Sequence, residues 1–261
     1  MFSGKRFSFD NIPDLSGKVA IVTGGNTGIG FVTARELARK NAHVFVASRS
    51  KDRGEPAVEL IKKETKNDAV EFLQLDLQSL NSVKLAAETF LARNLPLHIL
   101  NGHHRAPPTG IEFEKLNDPN AHNSIQRYGQ SKLANILFTI ELNKRLSGTN
   151  VYCNSLHPGA IKTELTRGIV ANWGSWTKPI ISIIQLFLLT PDDGALTQLY
   201  CATSPEIEEK NFRGKYFVPF GEIEEPSAQG KDEELAKKLW DFSENLIKEK
   251  LGDDIFSKCY A

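Results

Sequence analysis

Apolar and polar positions alternate along this chain in blocks of two kinds. Short apolar runs rich in β-branched and aromatic residues predict strands, and longer segments with apolar residues every three or four positions predict helices. The predicted strands are Lys18–Thr23, His43–Ala47, Val70–Leu75, Leu97–Leu100, Val151–Ser155 and Lys215–Val218. The predicted helices are Gly28–Lys40, Arg53–Thr65, Ser79–Arg93, Ser124–Leu146, Asp192–Thr203 and Lys231–Lys250. This alternation predicts βαβ units and a parallel sheet covered by helices on both faces.

The ends of several predicted helices carry suitable capping residues. Ser79 and Ser124 stand where an N-cap belongs, and Asp192 and Asp193 place negative charge at the positive end of the next helix dipole. In the last helix, apolar residues form one stripe that we interpret as a core-facing surface rather than a partner-binding face. The stripe consists of Leu235, Leu239, Phe242 and Leu246.

Composition adds limits on partners and domain number. The length of 261 residues, with 40% hydrophobic and 25% charged residues, predicts one domain spanning 1–261. Because 32 basic residues balance 32 acidic ones, we expect no nucleic-acid partner. The three cysteines, Cys153, Cys201 and Cys259, lack metal-ligand spacing, so we expect free thiols in a reducing compartment and no metal site.

Two segments bear on localisation. Met1–Asp14 has no apolar core of the kind found in secretory signals, so we expect a cytoplasmic protein. The most apolar stretch, Pro179–Leu189, is far shorter than the ~20 residues that a membrane-spanning helix needs. We therefore expect no transmembrane segment, although association with a membrane surface stays open.

A glycine-rich turn joins the first predicted strand to the first predicted helix. It reads Thr23-Gly24-Gly25-Asn26-Thr27-Gly28-Ile29-Gly30. Glycines at such a turn let the backbone approach a pyrophosphate, which the N-terminus of the helix then stabilises. The strand–turn–helix context favours dinucleotide binding over a tight turn without a ligand.

Tyr128 and Lys132 lie four residues apart on the fourth predicted helix, which places a phenol and an ammonium on one face. A phenol with a pKa of about 10 needs a nearby positive charge to exchange protons at pH 7. By itself, however, a tyrosine and a lysine at this spacing would often arise by chance.

Together, the turn and the Tyr128–Lys132 pair resemble the short-chain dehydrogenase/reductase family. The segments Arg127–Asn135, Ile12–Val19 and Thr190–Ala195 resemble its branch of retinol dehydrogenases and WW-domain oxidoreductases. The resemblance implies a single Rossmann-type domain with a doubly wound parallel sheet. It also implies hydride transfer between a nicotinamide and a carbonyl or alcohol substrate, with Tyr128 as general acid/base and Lys132 assisting it while holding the nicotinamide ribose.

The resemblance also assigns the cofactor-binding residues. These are Gly24, Asn26, Thr27, Gly28, Ile29, Gly30, Arg49, Asp76, Leu77, Tyr128, Lys132, Pro158, Gly159, Ile161 and Thr163. An NAD-preferring site usually has an acidic residue after the second strand, where this chain has Ser48 followed by Arg49. A guanidinium can pair with a 2′-phosphate, so we expect NADP rather than NAD. Arg49 could instead be an ordinary surface arginine.

One interval of the chain is shorter than the resemblance requires. Only 97 residues separate Gly30 from Tyr128, and Leu97–Leu100 runs directly into Asn101–Gly110. The family has a longer fourth strand, an Asn-Asn-Ala-Gly turn, a helix, a fifth strand and a catalytic serine in this interval. We therefore expect a shortened fourth strand and a deletion of the fourth helix and fifth strand, on the order of 50–70 residues.

The shortened interval leaves three functional interpretations. The first is an NADP-dependent oxidoreductase by descent, which acts on a small apolar carbonyl or alcohol substrate, either as a monomer or as a homo-oligomer. The second is a catalytically impaired dinucleotide-binding or interaction protein, from a truncated isoform or a faulty gene model. The third is a product that does not fold stably. The residues that could replace the serine as a hydrogen-bond donor are Thr109, Ser124, His103 and His104. An apolar cover over the substrate site would consist of Trp173, Trp176, Ile180, Ile181, Ile184, Phe187 and Leu188.

Overall fold

A computed structural model describes residues 6–101, 110–116, 118, 120–161 and 188–256. The first half of the chain forms the predicted alternation of strands and helices, with most ends within two residues of the expected ones. Its elements are β1 (Val19–Thr23), α1 (Gly28–Arg39), β2 (His43–Ser48), α2 (Lys51–Thr65), β3 (Val70–Gln74), α3 (Leu80–Leu91) and β4 (Ile99–Asn101).

The second half contains the long predicted helices and two short elements that the periodicity does not predict. Its elements are α4 (Ser124–Arg145), β5 (Ser155–Leu156), α5 (Pro191–Thr203), α6 (Glu206–Glu209), β6 (Tyr216–Val218), β7 (Glu222–Glu224) and α7 (Glu233–Leu251). Helix α6 has a single turn and strand β7 has three residues, and both are rich in glutamate. Segments this short carry too little hydrophobic pattern for recognition in the sequence.

The strands of the described residues form two sheets. The first has the order β3-β2-β1-β4 with every pair parallel, and the second has the order β5-β6-β7 with one parallel and one antiparallel pair. Within these residues, no ladder joins β4 to β5. The Rossmann-type arrangement of a parallel sheet with flanking helices is thus confirmed, while the continuous sheet that the pattern suggests is divided.

Helices cover both faces of the four-stranded sheet, as expected for a doubly wound arrangement. On one face Leu37 of α1 packs with strand residues such as Val44, and Leu199 of α5 joins the same cluster. On the other face Ala86 and Phe90 of α3 pack against the opposite side of the same strands. The two apolar layers remove most strand side chains from water, which is the main stabilising term of this half of the molecule.

Helices α4 and α7 pack on each other in a separate apolar cluster. Leu133 and Leu137 of α4 contact Ala236 of α7, and Leu235 and Leu239 border the same cluster. The stripe on the last helix is therefore core packing, as the sequence indicates.

The predicted strand Val151–Ser155 is wrong over most of its length, because β5 begins only at Ser155. Upstream of β5, the Arg213 guanidinium donates hydrogen bonds to the carbonyl oxygens of Val151 (2.6 Å) and Thr149 (2.8 Å) and stacks over the Tyr152 ring. Side-chain donors thus take the carbonyl oxygens that a sheet ladder would use.

The predicted cap of α4 is displaced by one residue. Asn123, not Ser124, is the N-cap, since its side chain accepts a hydrogen bond from the Gln126 amide at 2.9 Å, and the Gln126 side-chain oxygen accepts one from the Asn123 amide at 3.0 Å. This reciprocal pair is a capping box, which asparagine forms as well as serine does. The cap at Ser79 is as predicted, with its hydroxyl accepting from the Ser82 amide.

Cys153 and Cys201 are free thiols, and burial raises the pKa of both. Cys259 lies outside the described residues. In the part of the chain that the structure describes, no helix is both long and apolar enough to cross a bilayer, and no cluster of three potential metal ligands occurs.

Candidate functional site

The glycine-rich turn lies between β1 and α1, at the carboxyl edge of the parallel sheet. Gly24 and Gly28 adopt φ values of +65° and +57°, a conformation that glycine adopts without strain. A methyl group on Gly30 would lie 2.3 Å from the carbonyl oxygen of Gly24, so the turn and the helix touch through their backbones. The Gly24 amide also donates a 2.8 Å hydrogen bond to Ala47 of β2, which fixes the turn against the sheet.

The first turn of α1 faces the open side of this turn. Thr27 is the N-cap, and within the described residues its side chain makes no capping hydrogen bond. Helix α1 also has no acidic residue in its first turn. The first amides of a helix are strong donors that attract anions, and within the described residues neither a capping side chain nor an acidic residue of the first turn competes for them. The turn therefore suits a phosphate group.

The end of β2 presents the residues that would meet an adenosine ribose. Ser48 is buried, and Gly54 of α2 stands so close that an added methyl group would meet the Ser48 hydroxyl at 3.1 Å. Arg49 is exposed, and it makes no hydrogen bond or ion pair with any other described residue. The guanidinium is thus available for a ligand, whereas the Ser48 hydroxyl is turned toward α2.

Asp76 and Leu77 follow β3 at the same edge of the sheet. The Asp76 carboxylate accepts a 3.0 Å hydrogen bond from the Gln78 amide, and the Asp76 amide donates to the Ser82 hydroxyl at 2.9 Å. Leu77 projects into solvent with 69% of its surface exposed. The two residues form a rigid turn that offers an apolar side chain at the carboxyl edge.

A second turn follows β5 and contains Pro158, Gly159 and Ile161. Gly159 has a φ of +95°, and a methyl group there would lie 2.7 Å from Leu189 and 3.1 Å from Pro219. The Leu189 amide donates a 2.9 Å hydrogen bond to Ala160, and Ile161 forms an isolated bridge with Leu189. The turn therefore holds its shape through backbone contacts with the segment that leads into α5.

Gly194, in the first turn of α5, brings the two turns together. A methyl group at this position would lie 1.9 Å from the Cδ1 atom of Ile161 and 3.3 Å from that of Ile29. Both isoleucines are in the predicted cofactor set, one from each turn. Gly194 itself is a residue that the sequence argument missed as part of the site. The sequence signals for it are a glycine placed early in a helix and its position within the segment Thr190–Ala195.

Tyr128 and Lys132 lie on one face of α4, as predicted. The Lys132 ammonium is 5.2 Å from the centre of the Tyr128 ring. Burial lowers the pKa of Lys132 from its usual range. Thr139, two turns further along α4, hydrogen-bonds the Cys153 thiol just before β5. The face that carries the pair is thus directed toward the chain that enters β5 and its turn.

Several predicted residues lie outside the described part of the chain. They include Thr163 of the cofactor set, the donors His103, His104 and Thr109, and the apolar cover apart from Leu188. Leu188 is half-buried beside the second turn. Of the donors suggested as substitutes for the serine, only Ser124 has a described backbone, at the first position of α4.

Comparison with known proteins identifies the family. The family model of short chain dehydrogenases matches residues 18–111, a range that contains the glycine-rich turn and ends before Tyr128. An uncharacterised oxidoreductase of Schizosaccharomyces pombe is 36% identical over 275 residues, covering 82% of this chain and 80% of its own. The chain belongs to the short-chain dehydrogenase/reductase family.

Two further relatives locate the branch. The WW domain-containing oxidoreductase of Gallus gallus is 34% identical over 297 residues, covering 92% of this chain and 70% of its own. Retinol dehydrogenase 11 of Mus musculus is 34% identical over 286 residues, covering 89% of this chain and 87% of its own. The retinol dehydrogenase and WW-domain oxidoreductase branch inferred from the sequence is thus confirmed.

A solved structure supports the fold. The crystal structure of an uncharacterised protein from Mycobacterium paratuberculosis superposes with a TM-score of 0.70 at 27% identity, covering 94% of this chain and 98% of its own. The family cofactor, a nicotinamide dinucleotide, fits the described residues. The contact of Gly30 with Gly24 and the uncapped start of α1 leave the space and the donors that a pyrophosphate requires.

Proposed function

We propose that this chain binds NADP and has, by descent, the activity of an oxidoreductase acting on an apolar carbonyl or alcohol. The observation that carries the proposal is the convergence at Gly194 of Ile29, from the phosphate-binding turn, and Ile161, from the turn after β5. The turn that would hold the pyrophosphate and the turn that would hold the nicotinamide end would thereby form one continuous site. The bound nicotinamide supplies or accepts the hydride.

In this proposal Tyr128 exchanges a proton with the substrate oxygen. Its phenol must lose a proton more readily than in water, and the nearby Lys132 ammonium favours the phenolate. Because Lys132 is partly removed from water, its charge is less screened and acts more strongly over the 5.2 Å to the ring. The same burial favours the neutral amine, so the pair needs the phenolate or a ligand to keep Lys132 charged.

The preference for NADP rests on Arg49. Its exposed guanidinium follows β2 directly and has no partner among the described residues, and Ser48 replaces the carboxylate that would repel a 2′-phosphate. A bidentate contact between guanidinium and phosphate contributes about 1.5–3 kcal/mol.

The test is to measure NADPH and NADH affinities by nucleotide fluorescence for the native chain and for Arg49→Ala. We expect the native chain to prefer NADPH and the variant to lose that preference, with NADH binding unchanged. Arg53→Ala, in the first turn of α2, is a matched control for the loss of one exposed arginine. Equal affinities of the native chain for the two nucleotides would refute the NADP assignment.

A second candidate function is dinucleotide binding with little turnover. The alignment with the S. pombe protein runs over 275 residues, whereas 82% of this 261-residue chain is only about 214 residues. The mouse alignment gives a similar excess, with 286 residues against about 232. This difference supports the loss of a block after Leu100, which would include the catalytic serine.

A further inference from the structure

The imidazole of His157 accepts a hydrogen bond from the backbone of the turn that follows β5. The Gly159 amide donates a 2.9 Å hydrogen bond to the Nδ1 atom of His157, and the His157 amide donates to Phe217 of β6 at 2.7 Å. One residue therefore links the edge of the second sheet to the turn. A ring that accepts at Nδ1 carries its proton on Nε2 when it is neutral.

The hydrogen bond to Nδ1 fixes the backbone conformation of Gly159, whose positive φ is uncommon in residues other than glycine. Gly159 is held at a φ of +95° between the side chains of Leu189 and Pro219. Glycine is the residue that loses most conformational freedom on folding, so this turn needs a local contact that selects one geometry. The Nδ1 acceptor is such a contact, since it fixes the direction of the Gly159 amide.

The consequence of this geometry reaches the cofactor site. Two residues after Gly159, Ile161 pairs with Leu189 and packs over Gly194 toward Ile29. A change in the turn would move Ile161 away from Ile29 and would open one end of the site. The glycine-rich turn, which lies between β1 and α1, would keep its own contacts.

We infer that His157 is a positioning residue for the nicotinamide end of the dinucleotide site, acting through the hydrogen bond from Gly159 to its Nδ1 atom. This inference rests on the proposed function, because it assumes that a dinucleotide spans the two turns. It assigns His157 no contact with the substrate. Substitution of His157 should weaken the binding of ligands that reach the second turn. It should leave unchanged the binding of ligands that occupy only the first turn.

Two substitutions separate the two nitrogen atoms of the ring. In His157→Asn the side-chain oxygen lies near the former Nδ1 position and can accept from Gly159, whereas in His157→Gln the polar group lies one bond further out. His98 provides a matched control, since its Nδ1 atom accepts a 3.0 Å hydrogen bond from the Val19 amide at the start of β1. That contact lies at the amino edge of the sheet, remote from both turns.

The ligands are NADPH, which spans the whole site, and 2′,5′-ADP, which represents only its adenine half. We expect His157→Gln to weaken NADPH binding on the order of 5- to 20-fold, because an amide donor loses its partner. The affinity for 2′,5′-ADP should not change. His157→Asn should restore most of the NADPH affinity, and His98→Gln should lower the melting temperature without changing either affinity.

The results that would overturn the inference are distinct from failure of the proposed function. Native-like NADPH binding by His157→Gln, or failure of His157→Asn to recover it, would show that the Nδ1 contact does not position the site. An equal effect of His98→Gln would show general destabilisation instead. If His157→Gln does not fold, His157→Val replaces it in the same comparison. A native chain that binds neither ligand would refute the proposed function, and the inference with it.

Discussion

At the scale of single residues, glycines decide whether the site can exist. Gly24 and Gly28 supply backbone conformations that other residues reach only with strain, and Gly30 and Gly194 supply close approaches that a methyl group would block. These are different physical requirements. The first concerns the φ angle, and the second concerns space.

The space requirement at Gly30 gives a direct prediction. In Gly30→Ala the new methyl group would lie 2.3 Å from the Gly24 carbonyl oxygen, so the turn must move away from α1. We expect a destabilisation of about 1–3 kcal/mol, typical of overpacking, together with loss of nucleotide binding. Chemical denaturation and nucleotide fluorescence measure the two effects.

Gly110→Ala is the control for this substitution. Its nearest neighbour would be the Gln229 amide nitrogen at 3.4 Å, an ordinary contact. This variant should match the native chain in both measurements. Unchanged stability and nucleotide affinity in Gly30→Ala would contradict the close approach.

At the scale of elements, helix α4 packs against its neighbour on one face and carries the Tyr128–Lys132 pair on another. Leu133 and Leu137 pack against α7, while Tyr128 and Lys132 lie on a different face. Gln130, also buried, accepts a 3.2 Å hydrogen bond from the Glu112 amide and ties the preceding loop to the packed face. The position of the phenol thus depends on the packing of α4 against α7.

The packing of α4 on α7 predicts that truncating one buried side chain weakens the interface between the two helices. Leu137 is completely buried, so Leu137→Ala should destabilise the protein by about 2–5 kcal/mol in chemical denaturation. The neighbouring Phe138 is 48% exposed and stacks on Trp240 with ring centres 5.5 Å apart. Phe138→Ala should therefore cost less, about 0.5–1.5 kcal/mol. The reverse order would show that α4 packs differently.

At the scale of the whole molecule, side chains pack between the two sheets, which no strand ladder joins within the described residues. Helix α5 contributes Leu199 to the cluster of the four-stranded sheet and Tyr200 to that of the second sheet. Phe7 packs against both clusters, and its ring meets Tyr200 edge-on at 5.5 Å. Within the described residues, β4 and β5 each have one edge outside any ladder. An intervening strand would satisfy both edges.

The whole-molecule prediction tests the proposed loss of a block after Leu100. We expect the chain to have little dehydrogenase activity, because loss of a donor that polarises the substrate oxygen costs about 100- to 1000-fold. Inserting the segment of the mouse relative between Leu100 and Asn101 should sharpen cooperative unfolding. It should also confer turnover of an apolar aldehyde or ketone with NADPH.

Two controls accompany the insertion. In the repaired protein Tyr128→Phe should abolish turnover and leave NADPH affinity nearly unchanged. A Gly/Ser insert of equal length should restore neither cooperativity nor turnover, because it cannot form an apolar strand. If the native chain turns over substrate as fast as the repaired one, the deletion account is wrong. Thr109 or Ser124 would then be the first donors to test.

The sequence by itself determined the local features of this protein. Hydrophobic periodicity located the long helices and the strands of the first sheet, since amphipathic patterns and glycine-rich turns depend on neighbouring residues alone. The same reasoning identified the glycine-rich turn and placed Tyr128 and Lys132 on one helical face, because both follow from short-range backbone geometry.

Only the tertiary structure decided what depends on contacts between distant segments. The late start of β5 follows from Arg213, which is 62 residues from the Val151 carbonyl that it binds. The approach of Ile29 and Ile161 to Gly194 brings together three separate segments of the chain. The division into two sheets depends on which strand edges form ladders with each other. Periodicity carries no information on such pairings, because each is selected by packing and by the donors that each segment leaves unsatisfied.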